Sequence, residues 1–186
     1  MKVSKETSAQ HREDLLRAAS RLFRDKGFDK VGIAEIAAAA GLTHGAFYTH
    51  FESKDELCAE AIVQAARHTA KTVAGLGDWQ TYVEAYLSPK HVRDRSNGCP
   101  YAALGGDVPR ESAPIKAAFS TALDRAIDGV ARMADGGQGA PSRDRAIAAL
   151  ATMVGALMLA RSTTDTDLRD EILATAKAHL IGAAAP

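Results

Sequence analysis

The run from Ile33 to Phe51, IAEIAAAAGLTHGAFYTHF, leaves a chain few ways to fold. Apolar residues at Ile33, Ile36, Ala37 and Ala40 follow helical spacing. After a break, Phe47 and Phe51 stand four apart, on one face of a second helical pattern. Gly41 at the break can take the left-handed backbone that ends a helix. Leu42 can fill the angle between the two helices, and Thr43 is suited to cap the second. Two short helices joined this way form a helix-turn-helix, whose second helix is shaped to enter a DNA major groove.

A helix that faces base edges with its first residues needs small or polar side chains there. His44, Gly45 and Ala46 meet that need: a ring nitrogen for a base edge, a close backbone approach, and a methyl group for a thymine methyl. Beyond these residues the whole N-terminal segment, from about residue 10 to 60, resembles the DNA-binding domain of the TetR family of bacterial transcriptional regulators. The resemblance rests on the Leu15-to-Phe23 helix, Gly27-Phe28, Ile33 to Ala40, Ala40-Gly41-Leu42-Thr43, Phe47-Tyr48-Thr49-His50-Phe51 and Ser53-Lys54-Asp55-Glu56-Leu57. It implies that Tyr48 contacts a phosphate, a role its hydroxyl suits. Thr49 and His50 are candidates for the same work, and Lys54 supplies a point charge near a helix start. With Thr43, these residues make up the expected DNA-binding set. One departure concerns Val31 and Gly32, where many family members carry a capping Thr or Ser. Val31 cannot cap, and Gly32 caps only modestly.

The totals agree with a small DNA-binding head on a larger helical body. The chain has 186 residues and no net charge, which argues against a general binder of polyanions. Residues 1–51 carry eight Lys or Arg against six Asp or Glu, and the remainder 15 against 17, so the slight excess of positive charge falls on the head. Aromatic residues make up only 5% and alanine is abundant, which favours closely packed helices over a sheet. Two cysteines, Cys58 and Cys99, do not make a disulfide scaffold. The first residues lack the apolar core of a signal peptide, and the longest apolar run, Ala146 to Ala160, is short of a membrane span of roughly 20 residues. A cytoplasmic, all-α protein without a membrane partner is expected, divided into a helix-turn-helix domain over 1–53 and a helical ligand-binding and dimerisation domain over 54–186.

In chain order, residues 1–8 are polar and expected to fray, and a first helix runs from about Ala9 to Lys26. A helix from Ser53 to about Val73 opens with Ser53 and Glu56 spaced as a capping box. Asp78 can cap a helix holding Trp79, Tyr82 and Tyr86, which Pro89 limits. Residues 90–111 are the least regular, apart from a short helix after Pro100. Cys99 immediately precedes that helix, where a thiol can have a lowered pKa and react with oxidants, or can simply be a small buried side chain. Helices are expected over Ala113–Asp135, Ser142–Arg161 and Asp167–Leu180, with a Gly-rich loop at 136–141.

The helix after Ser142 is apolar on all sides and must be covered twice, either within the body or by a second subunit. The family resemblance implies a homodimer seam made by the last two helices. Trp79, Tyr82, Tyr86, Tyr101, Leu104, Phe119, Leu123, Met153 and Leu157 are candidate walls of an effector pocket, or else ordinary core. An enclosed apolar pocket would prefer a small apolar or aromatic effector. No P-loop, dinucleotide or zinc-finger spacing occurs, no metal site or cofactor is expected, and no nucleophile–base pair suggests an enzyme. The expected function is a ligand-responsive transcriptional regulator, a repressor by family habit, binding a palindromic double-stranded DNA operator as a dimer. The alternatives are a redox or electrophile sensor using Cys99, and a helical enzyme or interaction module that does not bind DNA.

Overall fold

Every regular element among the described residues is helical. The computed structural model describes residues 4–134 and 142–182. A cluster of three helices, α1 (Lys5–Lys26), α2 (Ile33–Ala39) and α3 (His44–Phe47), precedes a larger bundle. The bundle comprises α4 (Lys54–Ala74), α5 (Trp79–Tyr86), α6 (Pro89–Arg93), α7 (Pro100–Leu104), α8 (Ala113–Ala134), α9 (Arg143–Ser162) and α10 (Thr166–Gly182), with a 3-10 turn at Val108–Arg110. Asp135 and the expected loop over 136–141 lie outside the described residues.

The first helix begins earlier than polarity alone suggests. The Ser4 hydroxyl accepts the Thr7 N–H at 3.1 Å, so the polar residues after it continue a capped helix instead of fraying. Leu15, Leu16, Ala19 and Phe23 form its buried stripe. Gly27 (φ 85°) ends it with its N–H on the Phe23 carbonyl at 2.8 Å, and Phe28 folds back against Phe23 with ring centroids 5.2 Å apart. Between α2 and α3, Leu42 donates to the Ala37 carbonyl at 2.8 Å and Gly41 (φ 72°) to Ala38 at 3.0 Å. This doubly bonded glycine stop is the turn of the helix-turn-helix. Gly32, ahead of α2, makes no side-chain cap, as its lack of a side chain requires.

The third helix is shorter than the spacing of Phe47 and Phe51 suggests. Its α-helical part ends at Phe47, and the chain continues to His50 as a tighter turn, with Thr49 bonded to the Ala46 carbonyl at 3.3 Å and His50 to the Phe47 carbonyl at 2.9 Å. The Thr49 hydroxyl donates to the same Ala46 carbonyl at 2.7 Å and competes with the helical ladder. Ser53 caps α4 by accepting from Glu56 N–H at 3.1 Å, while the Glu56 carboxylate reaches back one residue further than a capping box, to Glu52 N–H at 2.7 Å.

The region over 90–111 holds more order than its composition suggests. Pro89 both limits α5 and opens α6, and Pro100 opens α7, each in a first turn where its missing N–H costs nothing. Within the bundle, α4 packs on α8, α9 packs on both α8 and α10, and α1 joins the cluster to the bundle through α4. Helix α9 is long and apolar enough to cross a membrane by length and composition alone. Its Ala146, Leu150, Met153, Ala156, Leu157 and Ala160 are nevertheless buried in the bundle. Ile147, Met158 and Leu159 on its other side are exposed, Leu159 at 60%, with Leu168 of α10 exposed as well.

Candidate nucleic-acid interface and body cavity

Phe47 positions α3. It is 0% exposed, stacks on Phe51 at 5.6 Å and meets the edge of Tyr48 at 5.0 Å. With Phe47 pointing inward, His44, Gly45, Tyr48 and Thr49 face solvent, Tyr48 at 57% exposure. The rings of His44 and Tyr48 meet edge to face at 5.4 Å, so the two side chains form one outward patch. A Cβ built on Gly45 would meet nothing within 4 Å, which leaves the backbone open to close approach.

Other members of the expected set are partly committed. The Thr43 hydroxyl accepts the Ala46 N–H at 3.3 Å as the cap of α3, and Ala46 is half-buried. His50 turns toward α1, where it meets His11 at 6.2 Å. Burial, followed by repulsion from His11 and Arg12, lowers its pKa. The Lys54 ammonium donates to the Phe28 carbonyl at 2.7 Å and braces the turn after α1.

The bundle holds a cavity of about 950 Å³ between α4, α5, α7 and α8, with single contributions from α9 and α10. Three of the nine expected wall residues line it: Trp79, Tyr82 and Tyr101. Tyr101 donates its hydroxyl to the Ala122 carbonyl at 2.7 Å, and Trp79 donates its indole N–H to the Leu180 carbonyl at 3.2 Å. Leu104, Met153 and Leu157 are absorbed in the core, and Phe119 packs edge-on against Tyr101 at 5.6 Å. Leu123 is half-buried against the same core, and Tyr86 packs on His91. These six are not wall residues.

Residues that the aromatic pattern missed form most of the wall. Val63, Ala66, Ala70 and Val73 on α4 face Ala122, Ala126, Gly129 and Met133 on α8. Each series follows helical spacing, and side chains this small cannot fill the space between two helices. That facing pair of small-residue stripes was the available signal. The cavity also carries polar groups at Arg67, Asp78, Gln80, Thr121, Arg125 and Arg132.

Cys99 also lines the cavity, with its side chain buried. Burial pushes its pKa up, outweighing the Tyr86 hydroxyl and the N–H groups of Ala102 and Tyr101. Helix α7 has only five residues and a correspondingly weak terminus. The Tyr86 hydroxyl is buried beside this thiol.

Around Cys99 the chain forms a polar knot that spacing did not reveal. His91 accepts the Cys99 N–H on Nε2 at 3.0 Å and donates from Nδ1 to the Tyr86 carbonyl at 2.7 Å. Arg161 of α9 donates to the carbonyls of His91 (2.8 Å) and Val92 (3.3 Å). Arg24 of α1 crosses from the N-terminal cluster to donate to the Gly98 carbonyl at 2.9 Å. A Cβ on Gly98 would lie 2.7 Å from the Asp94 carbonyl oxygen, 2.8 Å from His91 Nε2 and 2.9 Å from Arg161 Nη2.

The His91 ring must stay neutral to accept from Cys99. Its pKa is lowered first by burial, with Arg161 pulling the same way and the Tyr86 carbonyl and Asp94 opposing. A depressed histidine pKa stabilises the fold above the unfolded value of 6.5, and that stability is lost as pH falls from there through the folded pKa. Urea midpoints measured at about pH 7.5 and about pH 5.5 should therefore drop more in the wild type than in His91→Gln, which does not titrate. Equal drops in both proteins would remove His91 from the account.

Among the described residues, no three His, Cys, Asp or Glu side chains are grouped to hold a metal ion. Residues 15–61 match the family described as bacterial regulatory proteins, tetR family. The HTH-type transcriptional regulator Rv0196 of Mycobacterium tuberculosis is 29% identical over 83% of this chain and 86% of its own length. AcrR of Shigella flexneri is 40% identical over a shorter stretch, 31% of this chain and 26% of its own. Among solved structures, the reduced form of E. coli NemR superposes with a TM-score of 0.76 at 21% identity, covering 92% of this chain and 95% of that one. A TetR-family regulator from Cytophaga hutchinsonii gives 0.77 at 16% identity over 98% of both chains; at these identities the likeness is one of fold. A helix-turn-helix with an outward His44–Tyr48 patch thus forms an N-terminal segment that matches the tetR family of bacterial regulatory proteins, set before an all-helical bundle with the fold of such regulators.

Proposed function

We propose that the protein binds a near-palindromic DNA operator as a homodimer, represses transcription there, and releases the operator when an effector fills the body cavity. The observation that carries this reading is the chain of contacts from cavity to DNA head. Cys99 lines the cavity, and its neighbour Gly98 holds Arg24 of α1 through its carbonyl. An effector that moves this wall acts on the helix that supports α2 and α3, and so favours one head spacing over another. Residues 1–53 read DNA in this scheme, and residues 54–186 bind the effector and the second copy. The exposed Ile147, Met158, Leu159 and Leu168 on α9 and α10 support a dimer through those helices.

Selection from a random duplex pool at stated salt tests the reading. An inverted repeat with half-sites about one helical turn apart is expected. His44→Ala should then alter the preferred bases, while Tyr48→Phe should weaken all sequences alike, by roughly 1 kcal/mol for one lost phosphate hydrogen bond. Enrichment of no repeat by folded, dimeric protein would overturn the proposal.

A further inference from the structure

We propose that the cavity takes an apolar ligand bearing an anionic head, with Arg67, Arg125 and Arg132 receiving the anion at the mouth. The inference rests on the effector-cavity reading above and names the chemical class of the effector. Arg67 belongs to α4 and the other two to α8, so the guanidinium groups flank the cavity from its two main walls. Arg125 and Arg132 are seven positions apart on one helix, two turns or about 10 Å along its axis. All three side chains are exposed, and among the described residues none makes a hydrogen bond or ion pair.

The carboxylates closest to them along their own helices are already engaged. Asp124 and Asp128 of α8 both hold Arg143, and Glu60 of α4 holds Arg12. Asp78, the one acidic group among the described lining residues, accepts the Thr81 N–H and hydroxyl at 2.8 Å each as the cap of α5. The mouth therefore presents three cations whose planar forks match an oxyanion, such as the carboxylate of an aromatic or aliphatic acid. Deeper in, Val73, Tyr82, Tyr101, Ala126 and Met133 provide the apolar wall for the rest of such a molecule. A volume of about 950 Å³ admits a ligand well beyond fragment size.

Two fluorescent probes with the same aromatic frame separate the anion from the apolar body: anilinonaphthalene sulfonate and the neutral N-phenyl-naphthylamine. Both should bind the wild-type protein, and Ala126→Trp, which occupies the wall, should weaken both. The triple variant Arg67→Gln, Arg125→Gln, Arg132→Gln should weaken the sulfonate about tenfold, the scale of one charge-assisted contact, and leave the neutral probe unchanged. The sulfonate advantage should also shrink as salt is raised, because the arginines are exposed. A triple variant that weakens neither probe, or both alike, overturns the anionic head while leaving the cavity as a binding site. Failure of both probes to bind wild-type protein, or their indifference to Ala126→Trp, overturns the cavity reading itself.

Discussion

Phe47→Ala is expected to abolish specific operator binding and to destabilise the N-terminal cluster by about 3–5 kcal/mol. Helix α3 is one turn long and cannot hold itself together. Phe47 is its only buried residue, so nearly all of its attachment to α1 and α2 passes through one ring and the Phe51 beneath it. Losing the ring removes transfer energy and leaves a cavity where the head has little else to collapse inward. The outward His44–Tyr48 patch would then have no fixed orientation. Operator titration, with thermal melts followed by probes in the head and in the bundle, checks this. A variant that binds within twofold of wild type would mean that α3 is anchored some other way.

Arg24→Met should have the second-largest effect, and of a different kind. Arg24 is 4% exposed and donates to the carbonyls of Ser20 (3.0 Å) and Gly98 (2.9 Å); burial lowers its pKa to about 10. Methionine keeps most of the volume of the stem but removes the donors, leaving a buried carbonyl at a cost of about 2–3 kcal/mol. The more telling readout is coupling. In wild type, a ligand that fills the cavity should reduce operator affinity by a factor set by a coupling energy of about 1–3 kcal/mol. In Arg24→Met that factor should fall toward one, while operator affinity without ligand is retained. Reduced stability with undiminished coupling would make Arg24 a structural residue only.

The helix-turn-helix was legible because its turn depends on local backbone geometry. Only a residue at ease with positive φ fits at Gly41, and Leu42 must fill the angle, so Gly-Leu-Thr between two apolar spacings has few other uses. The two-sided apolar character of α9 was equally plain, because hardly any polar side chain interrupts it from Ala146 to Ala160. The cavity was harder to read. Large apolar residues announce where mass will sit, and Leu104, Met153 and Leu157 duly went into the core, whereas a void is made by what is missing. Most of its wall is made of alanines, valines, a glycine and a methionine on two helices distant in sequence. The His91 knot was hidden for another reason. Its partners are backbone groups at Tyr86 and Cys99, brought together by two proline-started helices, and backbone partners leave no trace in side-chain spacing.

Gly98 carries a consequence for how such regulators can diverge. Its α-hydrogen faces a carbonyl, an imidazole and a guanidinium, each under 3 Å from where a methyl group would stand. Drift at this position is closed to every other amino acid unless His91, Arg161 and the loop at Asp94 change with it. A lineage that keeps glycine here inherits the Arg24 connection intact and remains free to vary its cavity walls. One that loses it must find a new mechanical link between reader and sensor. The position thus separates what can evolve by single steps, ligand choice, from what requires several at once.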